Sequence, residues 1–385
     1  MGFFLYTLLI FALGIVGGTV PLAAQESPAA DKPAETPAEK PEQPQTPAAK
    51  FAAVNGEWDA LDKRLSELQE TYAGTTSAAA RAEIKKQYEE LVGQSNLLLP
   101  ELRAAAEAAY RAEPNKDPQL TRLLIGMVAY DFRRDDYEAA LKLAKVLEAS
   151  GCDEAVLYAV AGSAAFHADD YALAEKYFAR ADKGGKLDAQ GQALLAELPA
   201  QKKAWAAEQE IRKQEAVADD LPRVKLETSQ GPVVIELFEN EAPQAVANFV
   251  SLVEKKFYDG LTFHRVLAGF MAQGGDPSGD GSGGPGYDIY CECEQPNARQ
   301  HFRGTLSMAH AGKNTGGSQF FLTFRPTTNL NGRHTAFGRI VEGLDVLAKL
   351  QRIDPQAPGG EAPDKIVKAE VLRKRDHKYE PTKVK

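Results

Sequence analysis

Three stretches in the last third of the 385-residue sequence gather side chains able to grip and polarise a ligand. Phe263-His264-Arg265-Val266 runs on into Gly269-Phe270-Met271-Ala272-Gln273-Gly274-Gly275-Asp276, setting a guanidinium and an amide among apolar side chains in a strand-and-turn context. Gly304-Thr305-Leu306-Ser307-Met308-Ala309-His310-Ala311 and Gly317-Ser318-Gln319-Phe320-Phe321-Leu322 follow. An arginine stays charged at any reachable pH. Other chemistries fit the spacing poorly. Gly274-Gly275 and the Gly279–Gly286 run lack the GxxxxGK[ST] spacing and the strand-to-helix passage of a phosphate loop. Cys291-Glu292-Cys293 has a one-residue spacing and no second cysteine pair, which argues against structural zinc. The three cysteines, Cys152, Cys291 and Cys293, are too few and odd in number for a disulfide framework. Neither a metal nor a cofactor is expected.

The elements around these stretches are legible from periodicity. Val224, Leu226 and Thr228 alternate with polar residues, Gly231-Pro232 intervenes, and Val233, Ile235 and Leu237 alternate again, which predicts a hairpin. Ala242 to Phe257 reads as an amphipathic helix with Val246, Phe249, Val250 and Val253 on one side. A strand over Thr262 to Val266, a second helix over Gly343 to Leu350 and a last strand over Ile366 to Leu372 complete an antiparallel barrel or sandwich.

Before Pro222 the texture differs. Residues 57 to about 217 are rich in Ala, Leu, Glu, Lys and Gln and carry no strand pattern, so this half is read as all-α. Asp135-Asp136-Tyr137 is echoed by Asp169-Asp170-Tyr171, 34 residues later. That period resembles the tetratricopeptide repeat, with Gly162 and Phe178 at the small and aromatic positions of the second copy and Val128 where the first copy should be small. A plain helical bundle with a coincidental echo is the alternative. Leu61, Leu65, Leu68 and Tyr72, and Ile84, Tyr88, Leu91 and Val92, give the preceding segments one apolar face each, as capping helices require. Lys202 to Asp220 reads as a polar helix joining the halves.

The motifs quoted first, in that order, resemble the cyclophilin family of peptidyl-prolyl cis-trans isomerases over about Val224 to Leu372. The resemblance implies a closed eight-stranded antiparallel barrel with two helices and a substrate groove on one face. It implies Arg265 as the catalytic arginine and Gln273 as the amide holding the substrate backbone. Phe270, Met271, Phe321, Leu330 and His334 correspond to the proline pocket, and Ala309, His310 and Gln319 to further groove residues. Phe320 and Phe337 are expected in the core. Two positions depart from the family pattern. Asn329 precedes Leu330 where many eukaryotic relatives carry a tryptophan associated with cyclosporin binding, so weak cyclosporin sensitivity is expected. His310 stands where asparagine is common, and its groove contact is expected through the backbone.

The physical task is explicit. An X-Pro bond rotates over a barrier of roughly 18–20 kcal/mol because resonance keeps the amide flat. A guanidinium aimed at the prolyl nitrogen favours the decoupled, twisted amide over the planar one. The expected architecture is residues 1–24 as a signal peptide or membrane anchor, 25–55 as a disordered Pro/Ala-rich linker, 56–220 as the helical domain, 221–375 as the isomerase domain and 376–385 as a basic tail. Residues 3 to 16 are an apolar run, and uncut, residues 3–24 suffice to tether the chain across a bilayer core of ~30 Å. Either outcome places the rest outside the cytoplasm, periplasmic or secreted. The expected partners are proline-containing client chains and a protein partner on the helical repeats. The net charge of −9 supplies no global basic field, so nucleic-acid binding is not expected. The rival function is a non-catalytic chaperone or interaction module that captures Pro-containing segments in the groove.

Overall fold

The computed structural model describes residues 46–357 and 362–384. The leader or anchor read over residues 1–24, and the linker up to residue 45, lie outside the described residues. Helix α1 (Pro47–Gly74) begins inside the stretch assigned to the linker. Thr46 accepts a hydrogen bond from the Ala49 N–H at 3.2 Å, and Pro47 occupies the first turn with its φ already helical. Thr46-Pro47 is therefore a helix start and not part of the spacer. Ser77 caps α2 (Ala78–Ala112) in the same way. These two helices bury Leu65, Tyr88 and Leu91 together with Leu61, Leu68 and Val92, the faces expected from spacing.

The described residues divide into two compact units, one ending at Leu124 and the other starting at Ile125. The division thus falls within the helical half and not near residue 220. The helices are α3 (Pro118–Arg133), α4 (Tyr137–Ala149), α5 (Ala155–His167), α6 (Tyr171–Lys183) and α7 (Ala189–Ala218). The Asp-Asp-Tyr echo has a structural cause. Asp135 and Asp169 sit at φ 63° and 61°, the left-handed turn that aspartate tolerates. Asp136 and Asp170 cap the next helix by accepting from the N–H of Ala139 and Leu173 at 3.0 and 3.1 Å. The Tyr137 and Tyr171 hydroxyls donate back to Asp135 and Asp169 at 2.8 and 3.0 Å. Gly162 is needed because a Cβ there would lie 2.6 Å from the Phe178 ring. The region is consistent with helical repeats.

Helix α7 is not merely a polar connector. Its Glu208 and Glu215 are buried against Arg299, with Glu208 bonded at 2.7 and 3.0 Å and Glu215 at 2.5 Å. Arg339 bridges Glu215 and Glu236, both at 2.5 Å. Trp205 lies 4.8 Å from Phe302, ring to ring. These contacts bind the later helices to the sheet, which is why residue 220 does not separate compact units.

The sheet has eight antiparallel strands: β1 (Arg223–Thr228), β2 (Gly231–Leu237), β3 (Arg265–Leu267), β4 (Met271–Gly274), β5 (Thr305–Met308), β6 (Phe320–Thr323), β7 (Ala336–Glu342) and β8 (Ile366–Arg373). They are ordered β3-β4-β6-β5-β7-β2-β1-β8. The sheet curls until Thr262 bridges Lys365, just ahead of its two edge strands. Helices α8 (Pro243–Glu254) and α9 (Val346–Lys349) are shorter than the stretches predicted, and both contribute to the core. Inside the sheet, Val224, Leu226, Ile235, Leu306 and Leu322 pack with Phe249, and Phe320 and Phe337 are buried there as expected. The C-terminal residues are held against this sheet. Tyr379 is buried with its hydroxyl on Glu239 at 3.0 Å, and the Val384 N–H donates to Asp288 at 2.8 Å. Its lysines gave the segment the look of a free basic tail, but His377 as well as Tyr379 bonds Glu239, and the Lys383 ammonium lies 4.0 Å from the centre of the Tyr287 ring.

Candidate active site

Strand alternation creates the site. Arg265 on β3 pairs with Gln273 on β4, which pairs with Phe321 on β6, which pairs with Ser307 on β5. Residues in register across antiparallel strands share a face, so these four form one row on the outer side of the sheet. Their neighbours Val266, Ala272, Leu306 and Leu322 point inward to the core. Met271, two residues before Gln273, joins the outer face and packs with Ala309, Phe321, Phe270 and Leu330 in a small apolar cluster separate from the main core. This cluster is the floor of a groove of about 750 Å³.

All ten residues singled out from the sequence line that groove: Arg265, Phe270, Met271, Gln273, Ala309, His310, Gln319, Phe321, Leu330 and His334. Arg265 is half-buried, with Nη1 4.0 Å from the Met271 sulfur and its guanidinium carbon 6.0 Å from the Phe270 ring centre. Among the described residues no carboxylate forms an ion pair with it. A cation held over an apolar floor without a counter-ion keeps its donors for a ligand.

The amide side of the groove is a chain of hydrogen bonds. Gln273 Nε2 donates to Gln319 Oε1 at 2.9 Å, and Gln319 Nε2 donates to the carbonyls of Gly281 and Gly283, both at 2.9 Å. The Gly-rich stretch that lacks a phosphate-loop pattern is thus one wall of the groove, lined also by Pro285 and Tyr287. Sequence reasoning did not assign this wall a role. Its anchor is the buried Asp276, which accepts from the N–H groups of Ser278, Asp280 and Gly281 at 2.8, 3.1 and 2.5 Å. Gly275 turns the chain into this loop at φ 81°, where a Cβ would meet the Ser318 carbonyl at 2.4 Å.

Two histidines flank Phe321, and a third stacks on one of them. His334 meets its ring edge-on at 5.5 Å, and His301 stacks behind it at 6.0 Å. His334 Nδ1 is 2.9 Å from the Met308 carbonyl, so that nitrogen carries the proton and Nε2 is left as the acceptor. Burial pushes the His334 pKa down, and the neighbouring His310 and Arg333 act in the same sense. Burial holds His301 down to about 4, with Nδ1 on Asn331 and Nε2 on the Ser307 hydroxyl, at 2.9 and 2.8 Å. His301 escaped the sequence reading because it lies outside every quoted motif. His310 differs from the expectation of a backbone contact alone: its ring stacks on His334 at 4.2 Å, and Nε2 donates to the Arg333 carbonyl at 2.8 Å.

A curled antiparallel sheet with a cation, an amide and an apolar cup on one outer row has known counterparts. Residues 223–371 match the model of the cyclophilin type peptidyl-prolyl cis-trans isomerase family. A peptidyl-prolyl cis-trans isomerase of Helicobacter pylori is 52% identical over 147 residues, which is 38% of this chain and 88% of that protein. One from Synechococcus elongatus is 55% identical over 131 residues, covering 34% of this chain and 88% of the relative. The peptidyl-prolyl cis-trans isomerase B of Bacillus subtilis is 53% identical over 122 residues, 32% of this chain and 85% of its own length. The chain belongs to the cyclophilin family and is a peptidyl-prolyl cis-trans isomerase. The family match leaves the helices before residue 223 outside it.

Proposed function

We propose that the groove isomerises X-Pro bonds in exported client proteins, with Arg265 stabilising the twisted amide and the Met271–Phe321 cup holding the proline ring. The observation that carries this reading is the row Arg265–Gln273–Phe321 across three paired strands. The row spaces a cation, a backbone-gripping amide and an apolar floor at strand intervals of roughly 4.8 Å, about the span of a prolyl residue and its neighbour. In the planar amide the prolyl nitrogen lone pair is delocalised into the carbonyl. In the twisted state it is localised and accepts a hydrogen bond. A guanidinium donor aimed there interacts more strongly with the transition state than with either ground state, which is the condition for rate acceleration. Gln273, braced by Gln319, holds the preceding carbonyl so that only one side of the bond turns.

The helices α3 to α6 are read as tetratricopeptide-type pairs, on the strength of the 34-residue echo and its repeated turn hydrogen bonds. Residence outside the cytoplasm rests on the apolar run at residues 3 to 16. Mass spectrometry of the mature N-terminus from fractionated cells checks that part: a chain starting at Met1 in the cytosol contradicts it. The isomerase reading is tested by a chymotrypsin-coupled proline-peptide assay on wild type and Arg265→Ala. Wild-type acceleration lost in the variant supports it; equal rates overturn it.

A further inference from the structure

The two Asp-Asp-Tyr turns of the helical half do more than start helices. Each sends its first aspartate into the sheet domain. Asp135 Oδ1 accepts the Gly269 N–H at 2.8 Å, and Asp169 Oδ2 accepts the Arg303 N–H at 3.1 Å. Gly269 is the turn between β3 and β4, at φ 66°, directly before Phe270 and Met271 of the cup. Its carbonyl is held from the other side by the Arg325 guanidinium. Asp135 also takes the Arg352 guanidinium at 2.8 Å on its second oxygen, and Arg352 donates to the Arg134 carbonyl at 2.7 Å. Arg352 precedes Ile353, which exchanges both backbone hydrogen bonds with Val266 at 2.8 and 2.9 Å. One buried carboxylate therefore grips the turn at the end of β3 and the segment that pairs with its middle. β3 is three residues long and is the strand that carries Arg265.

We propose that Asp135 is a positioning residue for catalysis, acting through Gly269 and Arg352 to hold the β3–β4 hairpin in the posture that aims Arg265 across the groove. The helical half is then part of the isomerase site and not only a recruiting module. A three-residue edge strand has few ladder bonds of its own, so charge-assisted bonds to its turn and its pairing segment decide its position. Asp169 supplies the internal contrast. It makes the same type of contact at the Arg303 N–H ahead of β5, beside the Glu138–Arg303 ion pair, where Asp135 takes the N–H of the β3–β4 turn. The Arg303 guanidinium lies over the Tyr137 ring at 4.8 Å, so the two turns are neighbours and differ in which strand they hold.

The test uses the full chain, with turnover measured in a protease-free assay and backbone amide resonances recorded in parallel. It rests on the Arg265 reading, so wild type and Arg265→Ala are measured first. A wild type without turnover, or an Arg265→Ala as fast as wild type, overturns that reading. Given Arg265-dependent turnover, Asp135→Ala is expected to lower kcat about tenfold, the worth of roughly one charge-assisted hydrogen bond, with KM within about twofold. The amide resonances of residues 265–271 are expected to move. Asp169→Ala is expected to lower the Tm while leaving kcat within about twofold. If Asp135→Ala does not fold, Asp135→Asn decides alone. It keeps an acceptor for Gly269 and loses the charge on Arg352, and an about threefold loss with shifted 265–271 resonances is expected. The proposal is overturned by unchanged rate and resonances in the deciding variant, or by an equal kcat loss in Asp169→Ala.

Discussion

Arg299 offers a perturbation whose cost can be worked from the structure. Its side chain is 2% exposed and binds Glu208 and Glu215, themselves 5% and 7% exposed, with Glu241 at 3.8 Å and the Phe238 ring under the guanidinium at 3.9 Å. Arg299→Ala leaves these carboxylates buried in a low-dielectric seam. Breaking such a pair by removing one partner costs about 3–5 kcal/mol. Glu208 keeps Arg212 at 2.7 Å and Glu215 keeps Arg339 at 2.5 Å, so the lower end, about 3 kcal/mol, is expected. For a unit of this size that corresponds to a Tm fall of about 6 °C. Burial raises the Glu208 pKa, but the bonds to Arg299 and Arg212 outweigh it and the net shift is downward. A carboxylate lowered on folding contributes stability that is present above its unfolded value of 4.5 and lost as pH falls through its folded value. The gap between wild type and Arg299→Ala should therefore be widest at neutral pH and close below pH 4.5. It should persist in 1 M salt, because buried pairs are little screened. Thermal unfolding followed by fluorescence at pH 7 and pH 4, with and without salt, measures all three. A fall under 2 °C at pH 7, or one abolished by salt, refutes the reasoning.

Other outcomes follow from the groove. His301 titrates at about 4 in the fold against an ordinary 6.5, so the unfolded chain binds the extra proton between these values. Its stabilising share is complete above pH 6.5 and falls by roughly 3 kcal/mol as pH drops through 4. Urea unfolding across that range should show a shallower slope in His301→Gln than in wild type, the remainder coming from the other histidines that burial lowers, His167, His264 and His334. Gly283→Ala brings a Cβ to 2.1 Å from the Asp276 carboxylate, which breaks the loop that seats Gln319. A fall in kcat/KM of about tenfold or more, with the Tm lowered by only a few degrees, is expected; unchanged kinetics would show that the loop wall is dispensable. With Asn329 ahead of Leu330, cyclosporin titrated by fluorescence should bind weakly, and tight binding contradicts this.

The groove was legible because its residues travel in contiguous motifs that resemble the cyclophilin family, and that resemblance placed Arg265, Gln273 and Phe321 together; the cross-strand register then shows why they share a face. The seam was not legible. Glu208 and Glu215 occupy a helix rich in Glu and Lys, where exposed charges are the usual reading, and their partner Arg299 lies in an irregular segment with no period. The Asp135 and Asp169 turns announced themselves as a repeat, yet their bonds to Gly269 and Arg303 each span 134 residues, beyond any local pattern. The Pro-rich composition carried the linker reading past Thr46-Pro47, where a cap and a first-turn proline had already started a helix. Lysine density likewise concealed that Tyr379 anchors the last residues.

The central claim is that Arg265 lowers the rotation barrier and does not simply hold the peptide. Exchange spectroscopy on an isotope-labelled Ala-Pro peptide with the full chain separates the two, since it reads binding and cis-trans interconversion in one sample. Arg265→Ala is expected to bind within a few-fold of wild type while catalysed exchange falls by at least about a hundredfold, roughly 3 kcal/mol of transition-state stabilisation. Exchange retained in the variant, or affinity and exchange lost in equal proportion, would contradict the account.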